Sequence, residues 1–171
     1  LLYADEIEES DVEEAVPDYP VHLFFTQEGY FKKITPQSLR MSGEQKLKEG
    51  DKITEQIEAT NNTELLFFTN QATVYKTRAN EFSDTKASVL GDYVAAKLGM
   101  EEDEAAIYMA ATKAYEGFMI FIFENGKIAK VEMNTYTTKT NRKKLVGAYS
   151  DKSPLFAMFY CKQECEILLT T

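Results

Sequence analysis

The stretch ELLFFTNQATVYKTR, residues 64–78, joins a run of large apolar residues to a short polar break and a second β-rich run that carries cations. A continuous apolar run such as Leu65 to Phe68 is typical of a strand that is buried on both faces. Asn70-Gln71 supplies a turn, so the stretch is predicted to form a β-hairpin. The same pattern occurs elsewhere in the chain.

Two further hairpins flank this one. HLFFTQEGYFKKIT (22–35) precedes it and MIFIFENGKIAKVEM (119–133) follows it. The Asn125-Gly126 turn is the strongest of the hairpin signals, because type I′ turns need positive φ angles. EILLTT (166–171) has the composition expected for the opening of a further copy.

The copies recur at a nearly regular spacing. Their apolar runs end at Thr26, Thr69, Phe123 and Thr171, at steps of 43, 54 and 48 residues. Spacings in this range indicate a repeat architecture. We therefore predict an all-β, propeller-like fold of repeated four-stranded blades, with about three blades and part of a fourth.

The repeats suggest boundaries within the chain. An acidic N-terminal segment comes first, and the predicted repeat domain then covers 21–171. The ranges are 1–20 for the acidic segment and about 21–63, 64–116, 117–165 and 166–171 for the repeats.

Between the hairpins, the pattern is less regular. Alternating apolar and polar residues predict a half-exposed strand at 52–62. Ala106 to Ala111 is predicted as a strand from its place in the repeat, and 155–171 as two strands. The polar stretch 37–52, after Pro36, is interpreted as a loop.

Charge is distributed unevenly along the chain. The formal net charge is −9, but residues 1–20 hold eight acidic residues and no Lys or Arg. Residues 126–152 have the opposite balance, with seven Lys and Arg residues against two acidic ones. A polarised body of this kind permits phosphate contact, although the acidic total does not favour strong binding to nucleic acid.

One column of the repeat is basic. Lys33, Lys76 and Lys130 each lie seven residues after the end of an apolar run. Cations at regular intervals could contact a phosphate backbone. The alternative is that these are solvated lysines that only discourage edge-to-edge strand pairing.

Catalytic and metal-binding patterns are weak. Cys161 and Cys165 form a C-x₃-C pair with no further Cys or His nearby, whereas a closed zinc site needs four ligands. We therefore expect two free thiols and no metal site. The single histidine, His22, has no nucleophile motif beside it, and neither a Walker A loop nor a Rossmann fingerprint occurs. We expect no export signal, because the first residues carry acids where a signal peptide would have cations, and no apolar run is long enough to span a membrane.

The repeats resemble those of a known family, the C-terminal domain of the bacterial type IIA topoisomerase A subunit, found in DNA gyrase and topoisomerase IV. FFTQEGYFKKI (24–34) and LLFFTNQATVYKTRANEF (65–82) are similar to its repeats, with Ala72 where the family has glycine. DVEEAVPDYPVHLFFT (11–26) resembles the segment that joins the catalytic core to the first blade.

This resemblance implies a β-pinwheel, whose blades exchange strands, and a non-catalytic role with no cofactor. It implies a module that contacts and bends duplex DNA, and whose partners in the full-length protein are the A-subunit catalytic core and the ATPase B subunit. The location implied is the bacterial cytoplasm, at the nucleoid. The alternative is a propeller-like protein-interaction module with weak or no DNA binding.

Candidate DNA contacts follow from the matched repeats and from the basic cluster. The resemblance assigns rim cations to Lys32, Lys33, Lys76 and Arg78, and also to Lys127 and Lys130. The full candidate set is Lys32, Lys33, Arg40, Lys76, Arg78, Lys127, Lys130, Arg142, Lys143 and Lys144. Where gyrases carry a basic, glycine-rich heptapeptide, this chain has LRMSGEQKL (39–47), so tight wrapping of DNA is not expected.

Overall fold

The computed structural model describes residues 16–138 and 143–162. Strands make up most of the regular structure in this part of the chain. They are β1 Pro20–Thr26, β2 Tyr30–Ile34, β3 Ile53–Thr60, β4 Glu64–Thr69, β5 Thr73–Arg78, β6 Asp92–Tyr93, β7 Ala106–Thr112, β8 Phe118–Phe123, β9 Ile128–Glu132, β10 Lys144–Val146 and β11 Leu155–Cys161. Two short α-helices, α1 Pro36–Met41 and α2 Val94–Lys97, and two 3₁₀ turns, Ala79–Glu81 and Met133–Tyr136, lie between them.

The strands form three antiparallel sheets. Their strand orders are β3-β1-β2-β6, β10-β5-β4-β7 and β11-β8-β9. Each predicted hairpin is present, as β1–β2, β4–β5 and β8–β9. The strands predicted at 52–62 and 106–111 are also confirmed, as β3 and β7, and each pairs with the first strand of its hairpin.

Strands pass from one repeat to the previous sheet. β6 follows the second hairpin in sequence, yet it pairs with β2 of the first sheet. β10 follows the third hairpin and pairs with β5 of the second sheet. Each of the first two sheets therefore has three strands from its own repeat and one from the next.

The continuous apolar run of β4 is explained by burial on both faces. Leu65 and Phe67 pack with Phe25 and Phe31 in a core between the first two sheets. The alternate residues Leu66 and Phe68 pack with Met119 and Phe121 in a core that involves the third sheet. Successive side chains of a strand point to opposite faces, so a central strand between two cores must be apolar at every position.

The hairpin turns need left-handed backbone conformations. Gly29 and Gly126 have φ angles of 91° and 87°. Ala72, at the equivalent position of the second hairpin, has φ of 53°. A residue with a Cβ loses roughly 1–2 kcal/mol in this left-handed backbone region. The second hairpin nevertheless adopts the same turn with alanine in place of glycine.

The interpretation of 37–52 as a loop is wrong at its start, because Pro36–Met41 forms α1. The Thr35 hydroxyl accepts a hydrogen bond from the Ser38 N–H at 3.3 Å, and Pro36 occupies the first turn, where its missing N–H costs nothing. Leu39 of this helix packs on Phe24 and Ile34, so α1 covers the outer face of the first sheet.

Four expectations concern the chain ends. Cys161 is disulfide-bonded, so the expectation of a free thiol is wrong there, while Cys165 lies outside the described residues. The strand predicted at the start of 155–171 is confirmed as β11, which pairs with β8. The acidic segment up to residue 15 and the partial repeat 166–171 also lie outside the described residues.

Candidate nucleic-acid interface

The two lysines of the first hairpin are buried. Lys32 and Lys33 are 2% and 3% exposed and, as neighbours on β2, point to opposite faces of the sheet. The Lys32 ammonium donates to Gln45 Oε1 at 2.9 Å, to the Lys46 carbonyl at 2.8 Å and to the Ala87 carbonyl at 3.0 Å. Burial lowers the pKa of Lys32. The Lys32 side chain therefore fixes the β2–β3 and β5–β6 connections to the first sheet.

Lys33 joins different segments. Its ammonium donates to Asn61 Oδ1 at 2.6 Å and to the Ala79 carbonyl at 3.0 Å, and it lies 3.2 Å from Asp84 Oδ1. The Tyr19 hydroxyl donates to the same Asp84 carboxylate at 2.8 Å. Lys33 and Asp84 therefore link the segment before β1, the β3–β4 turn and the connection after β5.

These contacts correct the expectation that Lys32 and Lys33 are rim cations. A buried ammonium that is saturated by protein oxygens has no donor left for a phosphate. The alternative, a solvated lysine that discourages edge pairing, is equally wrong for Lys33. Both lysines instead fix the polar connections between repeats.

Four of the predicted cations come together on two adjacent strands. Lys76 and Arg78 lie on β5, and Lys143 and Lys144 lie at the start of β10, which pairs with β5. The Lys76 N–H donates to the Lys143 carbonyl at 2.6 Å. We call Lys76, Arg78, Lys143 and Lys144 the β5–β10 edge.

Acidic residues accompany this edge. Arg78 lies 3.6 Å from Glu64, Lys143 lies 2.9 Å from Glu81, and Lys144 lies 3.6 Å from Glu101. All three cations are exposed. Exposed pairs of this kind contribute about 0–1 kcal/mol, so phosphates can compete for these cations, at reduced strength.

The pKa values of Lys76 and Lys144 are shifted in opposite directions. Lys76 is half-buried, donates to Thr138 Oγ1 at 2.8 Å, and has its pKa lowered by burial, which the charge of Glu64 partly offsets. The hydrogen bond with the Tyr75 hydroxyl raises the pKa of Lys144. Of the two side chains, Lys144 is the more accessible to solvent.

The remaining candidates are exposed. Lys127 and Lys130 belong to the third hairpin, and Arg40 lies on α1. The Lys130 ammonium lies 4.1 Å from the centroid of the Phe118 ring. Within the described ranges, none of these three cations is within ion-pair distance of a carboxylate. Arg142 lies outside the described residues.

A buried acidic network lies behind the β5–β10 edge, and its only signal in the sequence is a cluster of turn acids. Glu104 is 4% exposed and accepts hydrogen bonds from Thr69 Oγ1 at 2.7 Å, Tyr75 Oη at 2.9 Å and the Glu101 N–H at 3.1 Å. Burial alone would raise the pKa of Glu104, but these hydrogen bonds and the charge of Lys144 together lower it. The network orients Tyr75, on which Lys144 rests.

Neither a metal site nor a membrane-spanning helix is found among the described residues. No group of three or more His, Cys, Asp or Glu side chains is arranged to hold a metal ion there. The helices of the same part of the chain are too short or too polar to cross a membrane.

Sequence comparisons identify relatives of this chain. No family model matches the chain. The A subunit of DNA topoisomerase 4 from Staphylococcus aureus is 31% identical over 152 residues, which cover 85% of this chain and 19% of that protein. The form from strain MRSA252 is 28% identical over 177 residues, covering 99% of this chain and 22% of that protein. This chain is a homologue of the topoisomerase IV A subunit.

Solved structures agree on the fold. The crystal structure of the C-terminal domain of DNA topoisomerase IV matches with a TM-score of 0.74 at 23% identity, covering 86% of this chain and 47% of that one. The E. coli ParC C-terminal domain matches with a TM-score of 0.62 at 13% identity, covering 84% of this chain and 57% of that one. The predicted β-pinwheel is thereby confirmed. As a topoisomerase IV homologue, the chain spans about a fifth of its curated relatives' length.

Proposed function

We propose that this chain is a non-catalytic module that contacts duplex DNA within a type IIA topoisomerase of the topoisomerase IV kind, as part of its A subunit. The observation that carries the proposal is its homology to the A subunit of DNA topoisomerase 4, together with a fold shared with the C-terminal domain of topoisomerase IV. Its partners would be duplex DNA, the A-subunit catalytic core and the ATPase B subunit, in the bacterial cytoplasm.

The exposed cations suggest where DNA would lie. We assign the contact to the β5–β10 edge and to Lys127 and Lys130 on the third hairpin, because these side chains reach solvent. The first hairpin contributes no contact, since Lys32 and Lys33 are buried. Contacts from lysine and arginine to phosphates position a protein on DNA without reading its sequence, so the binding should be independent of sequence.

We infer contact without tight wrapping. The segment 39–47 has only Arg40, Gly43 and Lys46 in common with the basic heptapeptide of gyrases. This segment is instead held by the Lys32 ammonium, which donates to the Gln45 side-chain oxygen and to the Lys46 carbonyl. In addition, carboxylates pair with three of the four cations of the β5–β10 edge.

Those same ion pairs support the second candidate function, a protein-interaction module with weak or no DNA binding. Acidic residues interrupt the basic edge, and the equivalent strand of the first sheet, β6, carries Asp92 rather than a cation. A surface of alternating charge suits a polar protein partner better than a continuous phosphate backbone.

Reversing the charge of two lysines tests whether the β5–β10 edge contacts DNA. Lys143→Glu combined with Lys144→Glu should weaken binding to a duplex at least about tenfold, because it removes two phosphate contacts and adds repulsion. The matched control is Lys48→Glu with Lys52→Glu, two exposed lysines at the turn before β3. Affinities would be measured by fluorescence anisotropy on two unrelated sequences.

Three results are distinguishable. Loss in the edge variant on both sequences, with the control unchanged, is the expected outcome. Equal loss in both variants would mean that only net charge matters, which would overturn the assignment to this edge. No change in either variant would also overturn it and would favour the protein-interaction module.

A further inference from the structure

Two carboxylates pair with the lysines at the start of the exchanged strand β10. Lys143 lies 2.9 Å from Glu81, and Lys144 lies 3.6 Å from Glu101. Both lysines come from the third repeat, whereas both glutamates come from connections of the second repeat. The two ion pairs therefore join one repeat to the next at the β5–β10 edge, where we place the contact with phosphates.

The turn that carries Glu101 is fixed by hydrogen bonds. The Glu101 N–H donates to Glu104 Oε1 at 3.1 Å, and the Glu104 N–H donates to the Glu101 carbonyl at 3.0 Å. From the neighbouring hairpin turn, Asn70 Nδ2 donates to the Asp103 carbonyl at 3.2 Å. The backbone of Glu101 is already ordered by these contacts, so only its side chain loses conformational freedom on pairing with Lys144.

Glu81 is held in a comparable way at the end of β5. It lies in the 3₁₀ turn Ala79–Glu81, and its carboxylate accepts a hydrogen bond from the Thr77 hydroxyl. Burial would raise the pKa of Glu81, but hydrogen bonds from Lys143 and Thr77 together lower it. The carboxylate that faces Lys143 is thus kept in its charged form.

A neighbouring glutamate lacks such a partner. Glu102 follows Glu101 in the same turn and is exposed. Among the described residues, no lysine or arginine lies within ion-pair distance of Glu102. Pairing at this edge therefore depends on the position of each carboxylate and not only on the local density of acidic residues.

We propose that Glu81 and Glu101 limit the affinity of this chain for DNA, because their carboxylates occupy Lys143 and Lys144 in the free chain and are displaced by phosphates on binding. This role rests on the proposed function, since it requires that the β5–β10 edge contacts a duplex. Each phosphate then gains only the difference between the pair that it forms and the pair that it replaces.

The alternative role for these ion pairs is to hold β10 on β5. The backbone already pairs the two strands, because the Lys76 N–H donates to the Lys143 carbonyl at 2.6 Å and the Ala148 N–H donates to the Ala72 carbonyl at 2.7 Å. If the ion pairs were needed to dock β10, their removal would displace both lysines and weaken DNA binding. Competition predicts the opposite, a gain in affinity.

The experiment is the affinity of the chain for a duplex, measured by fluorescence anisotropy at low salt. Glu101→Gln should lower the dissociation constant about two- to fivefold, because it releases Lys144 from an exposed ion pair. Glu81→Gln should act similarly through Lys143. The two changes together should also steepen the slope of log K against log salt, by up to about 0.9 for each lysine released.

Two controls separate competition from a change in net charge. Glu102→Gln removes the same charge from the same turn without freeing a cation, so it should change the dissociation constant by less than about 1.5-fold. In a chain that already carries Lys144→Gln, Glu101→Gln should bring no gain, because no ammonium remains to be released.

The outcomes are distinguishable. An equal gain in Glu102→Gln, or a gain that persists beside Lys144→Gln, would overturn the proposal in favour of net charge alone. Lower affinity in Glu101→Gln, with circular dichroism showing the fold intact, would overturn it and assign the pairs to the docking of β10. Unchanged affinity in Glu101→Gln and Glu81→Gln would overturn it while the proposed function stands. No binding by the unsubstituted chain or by any variant would contradict the proposed function and this role with it.

Discussion

At the scale of single residues, one column of the repeat contains three different environments. Lys33 is buried and saturated by protein oxygens, Lys76 is half-buried against Thr138, and Lys130 is exposed over Phe118. The three occupy equivalent positions in the sequence and on the second strands of their hairpins. Their surroundings differ because Asn61 and Asp84, which surround Lys33, come from connections that do not repeat.

Lys33→Met tests the structural role of the buried lysine. The change leaves Asn61 Oδ1 and the Ala79 carbonyl without their donor, so we expect a loss of about 1–3 kcal/mol in the free energy of unfolding. Urea denaturation would measure it. Lys130→Met, in the same column, should change stability by less than about 0.5 kcal/mol. If Lys33→Met lowered DNA affinity with stability unchanged, Lys33 would be a rim cation after all.

The lowered pKa of Glu104 predicts that the stability of the folded chain depends on pH. Its pKa is lower in the folded chain than in the unfolded one. The stability that it contributes is therefore present above the unfolded pKa of about 4.3 and is lost as pH falls through the folded value. We expect Glu104→Gln to lose about 1–3 kcal/mol at pH 7 and to flatten the acid limb of the stability curve.

The control for that curve is Glu102→Gln, at an exposed position of the same turn. Thermal unfolding from pH 3 to pH 7 would show whether the acid limb changes in one variant only. Identical curves for the two variants would contradict the role given to the Glu104 network.

At the scale of elements, the exchanged strands are the feature that ties repeats together. β6 and β10 are only two and three residues long, yet each completes the sheet of the preceding repeat. Pairing of such short strands depends on close approach of the backbones. Gly91, immediately before β6, shows this: a Cβ there would lie 2.4 Å from the Phe31 carbonyl oxygen.

Gly91→Ala measures how much the close approach of β6 to β2 contributes to stability. Both Gly91 and Gly50 have positive φ, but nothing lies within 4 Å of a Cβ built at Gly50. Gly50→Ala should therefore show the backbone strain alone, about 1–2 kcal/mol. Gly91→Ala should cost about 1–3 kcal/mol more, from the forced contact. Equal losses of thermal stability would contradict the close packing of β6 on β2.

At the scale of the whole molecule, the sequence was most informative where a pattern repeats. The hairpins, the alternation in β3 and the double burial of β4 follow from local periodicity, so the fold class and the sheets were predictable. α1 was missed because Pro36 indicated a break, although proline also suits the first turn of a helix. The sequence-based resemblance to topoisomerase A subunits is confirmed by the homology and the shared fold.

The candidate site was less predictable, because exposure depends on which connections cover a side chain. Lys32 and Lys33 look like surface lysines in the sequence, and only the contacts with Ala87, Asn61 and Asp84 show that they are buried. Lys143 and Lys144 lie far from Lys76 in the chain, and strand exchange brings them to its side. That juxtaposition depends on topology, which residue spacing alone does not encode.

The central claim is that an acidic chain contacts duplex DNA through a few exposed cations. The most direct measurement is the affinity of the chain for a duplex across a series of salt concentrations. The slope of log K against log salt is about −0.9 for each phosphate neutralised. We predict a slope of roughly −2 to −4, because few cations are both exposed and weakly paired. No binding at low salt, or a slope near zero, would contradict the claim.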